Sequence, residues 1–120
     1  MENDFSMNDY TGWCHCGAIQ FQIKTDLTYS VICDCSLCTK RNSIMVRCHE
    51  SDLLILKGKE SLQKYQFNTM TAEHYFCKVC GIYTFHRMRK IPDKFGVNAA
   101  CLEGIDHTEL KPILTEGSKR

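Results

Sequence analysis

Seven of the nine cysteines in this 120-residue chain fall into three tight clusters. They read Cys14-His15-Cys16, Cys33-Asp34-Cys35-Ser36-Leu37-Cys38 and Cys77-Lys78-Val79-Cys80. Zinc in a structural site takes four ligands, whereas zinc in a reactive site often has three protein ligands and one open position. Two pairs and a triplet therefore imply one closed site and one open site. The odd number of cysteines rules out a complete set of intrachain disulfides.

Cys77-x-x-Cys80 is followed by Gly81, and Cys14-x-Cys16 by Gly17. Two thiols at such spacing grip one metal from a tight turn, and the glycine permits the backbone conformation the turn needs. A two-ligand grip is not stable alone, so these pairs are expected to share a structural zinc. A single free cysteine is more often a small buried hydrophobe. Four in paired spacing fit a chelate better.

Cys33, Cys35 and Cys38 offer three thiolates from one short loop. With a zinc ion they carry one net negative charge, which makes the metal a weaker Lewis acid than one held by three neutral imidazoles. Water activation is disfavoured, and a soft thiol is the better fourth ligand. Cys48, Cys101 or His49 could instead close the triplet into a second structural site. His74 and His86 are expected at the surface or around the ligands. Cys48-His49-Glu50 with Cys77-x-x-Cys80 loosely echoes a zinc deaminase signature. Phe76 stands where that signature has proline, and five clustered cysteines would go unexplained.

Between the clusters the pattern is short alternation. Ile19, Phe21 and Ile23 alternate with Gln20, Gln22 and Lys24, which predicts a half-buried strand. Further strands are expected at residues 29–33, 44–48, 54–56, 62–67, 73–76, 83–86 and 96–100. Helical turns are expected at residues 36–41 and 51–54, the second capped by Ser51. The chain is expected to be all-β, built of short antiparallel sheets stapled by a structural zinc. Residues 1–9 form a loose tail, residues 10–116 a single zinc domain, and residues 117–120 a frayed end.

With 15 basic and 14 acidic residues, no basic block marks a nucleic-acid surface, and no apolar run has the length of a membrane span. Residues 1–9 are acidic and polar, unlike a secretory leader, so a cytoplasmic or nuclear location is expected. Reduced thiols are the rule there, and clustered cysteines then indicate metal.

The stretches Gly12-Trp13-Cys14-His15-Cys16-Gly17-Ala18-Ile19-Gln20-Phe21, Cys33-Asp34-Cys35-Ser36-Leu37-Cys38 and Phe76-Cys77-Lys78-Val79-Cys80-Gly81 resemble the glutathione-dependent formaldehyde-activating enzyme family, also called the centromere protein V/Gfa domain. The resemblance implies a β-tent fold with two zinc ions per chain. Cys14, Cys16, Cys77 and Cys80 would hold the structural zinc, and Cys33, Cys35 and Cys38 the catalytic one. It also implies a carbon–sulfur lyase or synthase that adds a small thiol such as glutathione to an aldehyde such as formaldehyde, the thiol binding at the open zinc. Many members carry basic residues directly after the triplet and a glycine shortly beyond; here the run is Thr39-Lys40-Arg41-Asn42-Ser43. Lys40, Arg41, Arg47, Arg87 and Arg89 are candidates to bind an anionic thiol. The alternatives are a non-catalytic zinc module that carries a thiol or mediates protein interaction, and a thiol redox sensor.

Overall fold

Apolar alternation in short segments yields ten strands and one helix. The structure, a computed structural model, describes residues 7–67 and 69–115. The elements run β1 (Asn8–Trp13), β2 (Gln20–Thr25), β3 (Ser30–Cys33), α1 (Ser36–Arg41), β4 (Met45–His49), β5 (Leu53–Lys57), β6 (Leu62–Tyr65), β7 (Glu73–Cys77), β8 (Tyr83–Arg87), β9 (Lys94–Asn98) and β10 (Ile113–Thr115). Single 3₁₀ turns punctuate them. One sheet has the order β1-β2-β5 and the other β10-β3-β4-β9-β8-β7-β6. All neighbours are antiparallel except β10 and β3, which are parallel.

The sheets bury their apolar faces against each other. Ile19, Phe21 and Ile23 meet Val46, Phe85, Phe95 and Val97, and Phe21 sits edge-on to Phe85 at 5.3 Å. Each such side chain contributes roughly 1.5–3 kcal/mol by leaving water. The core sits between the sheets, so the other face of the seven-stranded sheet is free to carry chemistry.

That free face is organised by register. Directly opposed residues of neighbouring strands point to the same side. Tyr65 pairs with His74, His74 with His86, His86 with Gly96, and Gly96 with Arg47. One rung across β6, β7, β8, β9 and β4 therefore lines up two histidines and an arginine. On β4, Val46 and Cys48 turn into the core while Met45 and Arg47 turn to the other side.

The expected strands and the helix over residues 36–41 are present. Several details differ. Asn8 and Asp9 are not tail: they pair with Thr25 and Lys24 in β1, a strand whose mixed residues give no alternation. Residues 1–6 and 117–120 lie outside the described residues. The second helical turn starts at Glu50, and the cap is the His49 ring, which accepts from the Ser51 N–H. The strand expected over residues 96–100 runs from Lys94 to Asn98. Asn98 then caps a 3₁₀ turn by accepting from the Ala100 N–H, which ends the strand. The larger sheet is also wider than short separate sheets would give, because β10 returns to pair with β3.

Gly58 fixes where the small sheet meets the first cysteine loop. Its φ is +83°, and a Cβ there would overlap the Ala18 carbonyl. Gly58→Ala is expected to cost about 3 kcal/mol through strain and displaced backbone. Urea unfolding measures this, and a loss under about 1 kcal/mol would contradict the tight approach.

Candidate metal centres

Cys14 and Cys16 lie in the β1–β2 connection of the small sheet, and Cys77 and Cys80 in the β7–β8 turn of the large one. The fold brings all four sulfurs within 4.8 Å of one another. Cys16 Sγ is 3.7 Å from Cys14 Sγ and 3.7 Å from Cys77 Sγ. A tetrahedron with metal–sulfur distances of about 2.3 Å has edges of about 3.8 Å, so the spacing fits zinc. Backbone N–H groups aim at the sulfurs: Ile19 at Cys14 (3.3 Å), and Val79 and Cys80 at Cys77 (both 3.4 Å). Burial raises the Cys80 thiol, but the Ile82 and Cys16 N–H groups outweigh it and bring it down to about 6. Donors of this kind favour the thiolate, the form a metal takes.

The triplet is built around the start of α1. Cys33 ends β3, Cys35 is the N-cap, and Cys38 lies in the first turn. Cys35 Sγ accepts from the Cys38 N–H at 3.4 Å, which is the hydrogen bond a capping side chain makes. The three sulfurs also lie within 4.8 Å of one another. Among the described residues no fourth His, Cys, Asp or Glu joins them. Cys48 faces the core on the opposite side of β4, and burial pushes its thiol up to about 12. Cys101 Sγ points to the Tyr83 carbonyl at 3.6 Å. His49 is exposed to Asp93 and caps its own turn.

One of the five basic candidates ties the triplet to the sheet. Arg41, on the last turn of α1, donates to Cys38 Sγ at 3.3 Å, and its other terminal nitrogen lies 3.1 Å from His74 Nδ1. Its guanidinium is stacked on Tyr83 at 3.6 Å. Tyr83 Oη is 2.7 Å from His86 Nδ1 and donates to the Gly96 carbonyl at 3.2 Å. His74 and His86 stack at 5.0 Å, and Phe67 and Tyr65 continue the stack outward. His74 is thus buried rather than a surface residue. Burial pushes the Cys38 thiol up, and Arg41 opposes this. Arg87, by contrast, is committed to Glu50 and Glu73.

Burial, with Arg41 alongside, brings the His74 imidazolium down from 6.5 to about 4. The folded chain keeps this ring neutral while the unfolded chain protonates it below 6.5, so stability falls as pH drops from 6.5 toward 4. The shift amounts to something on the order of 3 kcal/mol. His74→Gln is expected to flatten that slope by up to about 1.4 kcal/mol per pH unit in a urea-unfolding series. An unchanged slope would show that His74 titrates alike in both states.

A small cavity is lined by Cys33 and Cys38 together with Arg47, His86 and Gly96. A four-sulfur group, a three-sulfur group and a cavity beside the latter stand on one scaffold. The sequence matches the family described as glutathione-dependent formaldehyde-activating enzyme over residues 9–116. The chain belongs to that family. Its fold is also similar to the crystal structure of a Rhodobacter sphaeroides protein at 42% identity and a TM-score of 0.83, covering 87% of this chain and 97% of that one. For this member of the formaldehyde-activating family, both cysteine groups are compatible with zinc. Among the described residues, no helix is long and apolar enough to cross a membrane.

Proposed function

We propose that this protein joins a small thiol to formaldehyde at the three-cysteine site, as a zinc-dependent carbon–sulfur lyase of the S-(hydroxymethyl)glutathione synthase type. The observation that carries this reading is the triplet's lack of a fourth donor among the described residues, together with a cavity against Cys33 and Cys38. Cys14, Cys16, Cys77 and Cys80 would hold a structural zinc, and Cys33, Cys35 and Cys38 a reactive one. The reactive ion would supply a soft cation with one position for an entering thiol sulfur.

The chain's own residues then have defined work. Arg41 places a fixed positive charge at Cys38, which offsets the excess negative charge of three thiolates and admits a fourth, anionic sulfur. Its stacking on Tyr83 and its contact with His74 keep that charge in place. Val31 and Met45 give the cavity apolar lining beside the sulfurs. In the reaction the thiol gives up its proton and the sulfur lone pair forms the bond to the aldehyde carbon. The carbonyl π pair moves to oxygen, which takes up a proton. No oxidant or reductant is consumed.

The test is the rate of hemithioacetal formation against the uncatalysed rate, over glutathione and other thiols with formaldehyde. Acceleration by at least about a hundredfold is expected, in the range one well-placed catalytic group supplies. No acceleration with any pair would overturn the enzymatic reading and favour a module that holds a thiol without turnover.

A further inference from the structure

The edge of the seven-stranded sheet beside β3 is made by β10, a strand of three residues that buries little. Ile113 and Leu114 are 55% and 54% exposed, so the apolar core does not call for this strand. Ordering a segment has an entropic cost that exposed side chains do not offset. What distinguishes β10 is its position. β3 pairs with β4 only through Ser30 and Val31. Among the described residues, Ile32 and Cys33 have no ladder partner on that side, although Cys33 carries the first sulfur of the triplet. Their partners are on β10, where Leu114 stands beside Ile32 and Thr115 beside Cys33 in parallel register. Two hydrogen bonds of Thr115 bracket Cys33. Thr115 Oγ1 donates to the Ile32 carbonyl at 3.2 Å, and the Asp34 N–H donates to the Thr115 carbonyl at 3.2 Å. Asp34 joins Cys33 to Cys35, so the second bond fixes the connection between the first two sulfurs.

Resting on the assignment of a reactive zinc to the triplet, we propose that β10 is a positioning strand for that site and Thr115 its positioning residue. Cys35 and Cys38 are tied to each other by the helix start, through the Cys38 N–H and Cys35 Sγ. Cys33 is therefore the sulfur whose placement depends on a distant segment of the chain. Thr115 acts on the backbone at both sides of it. A ligand held in advance loses less freedom when the metal enters, and groups that orient ligands govern affinity by roughly 10- to 100-fold. The dependence is mutual. Whatever factor β10 adds to zinc affinity at the triplet, zinc adds to the docking of β10.

The first readout needs no turnover. Zinc-loaded protein is titrated with a competing coloured chelator, and the more labile ion is assigned to the triplet by its loss in Cys35→Ser. Thr115→Val keeps the β-branched shape and removes the hydroxyl donor. It should hold the labile ion about fivefold less tightly, the worth of one hydrogen bond, and Thr115→Ser should stay within about twofold of the unaltered protein. Ile113→Gly, Leu114→Gly and Thr115→Gly combined weaken the strand itself and should lower that affinity at least about tenfold. The second ion should be unaffected, and Tm should move by less than about 5 °C. The reciprocal readout is hydrogen exchange: the β10 amides should exchange about tenfold faster in Cys35→Ser than in the zinc-loaded protein. Unchanged affinity in Thr115→Val and in the glycine variant would overturn the proposal, as would β10 exchange that ignores the metal at the triplet. Loss of both ions in parallel would make β10 a general structural strand and overturn it as well. A protein that takes zinc only at the four-sulfur group overturns this proposal and the reactive-site reading together. The expected affinities without accelerated hemithioacetal formation end the enzymatic reading and uphold the positioning role.

Discussion

Cys77→Ser is expected to remove the cooperative fold, or to lower Tm by about 15 °C or more. Cys77 is fully buried at the seam between the sheets and is part of the main apolar core. Its sulfur accepts two backbone N–H groups and lies 3.7 Å from Cys16. A serine oxygen is a poorer zinc ligand with a shorter reach, and it places a hydroxyl where the packing was apolar. On the proposed reading, a zinc held by the four sulfurs would cross-link the β1–β2 loop and the β7–β8 hairpin, and metal binding at such a site is folding free energy. A loss on the order of 4 kcal/mol corresponds to about 15 °C in a domain of this size. Thermal unfolding followed by circular dichroism, with metal content measured alongside, gives the answer. A variant that melts within a few degrees of the unaltered protein would remove the structural role assigned to this cluster.

Cys35→Ser should have the opposite profile. The Cys35 side chain does two jobs: it contributes one of three sulfurs to the open cluster and caps α1 through the Cys38 N–H. Serine is among the best capping residues, so the helix keeps its start and Tm should move by less than about 5 °C. The third soft ligand is lost, however. Zinc content is expected to fall from about two to about one per chain, and hemithioacetal formation to drop to the uncatalysed rate, as the proposed metal dependence requires. Full activity with one zinc remaining would place the chemistry elsewhere. Equal unfolding of Cys35→Ser and Cys77→Ser would end the division between a fastening site and a reacting site.

Much of the fold was legible because its signals are local. Ile19, Phe21 and Ile23 alternate within five residues, and α1 begins at a capping side chain one residue ahead of it. The strands that escaped notice, β1 and β10, are those whose pairing depends on partners rather than on their own pattern. Asn8 and Asp9 are held by β2, and Ile113 and Leu114 are more than half exposed. The same limit applies to Cys48. Its place beside His49 and Glu50 makes it a plausible ligand in the sequence, but the two-residue period of β4 turns it into the core.

Each pair and the triplet were set by the sequence alone, since sulfurs two or three residues apart are tethered closely enough to face one ion whatever the rest of the chain does. What turns the triplet into a site is different in kind. Arg41, His74, His86, Gly96 and Arg47 come from α1, β7, β8, β9 and β4. Four of them share one rung because each strand is held in a particular register against the next, and Arg41 reaches that rung from above. A slip of one residue in any of those pairings would turn a side chain to the other face. Register is fixed by burying the opposite, apolar face against β2, a long-range condition that no local spacing records. The triplet and each cysteine pair were therefore written in short-range order, while the meeting of Cys14 and Cys16 with Cys77 and Cys80, and the charge and cavity beside the triplet, were decided by the packing of the two sheets.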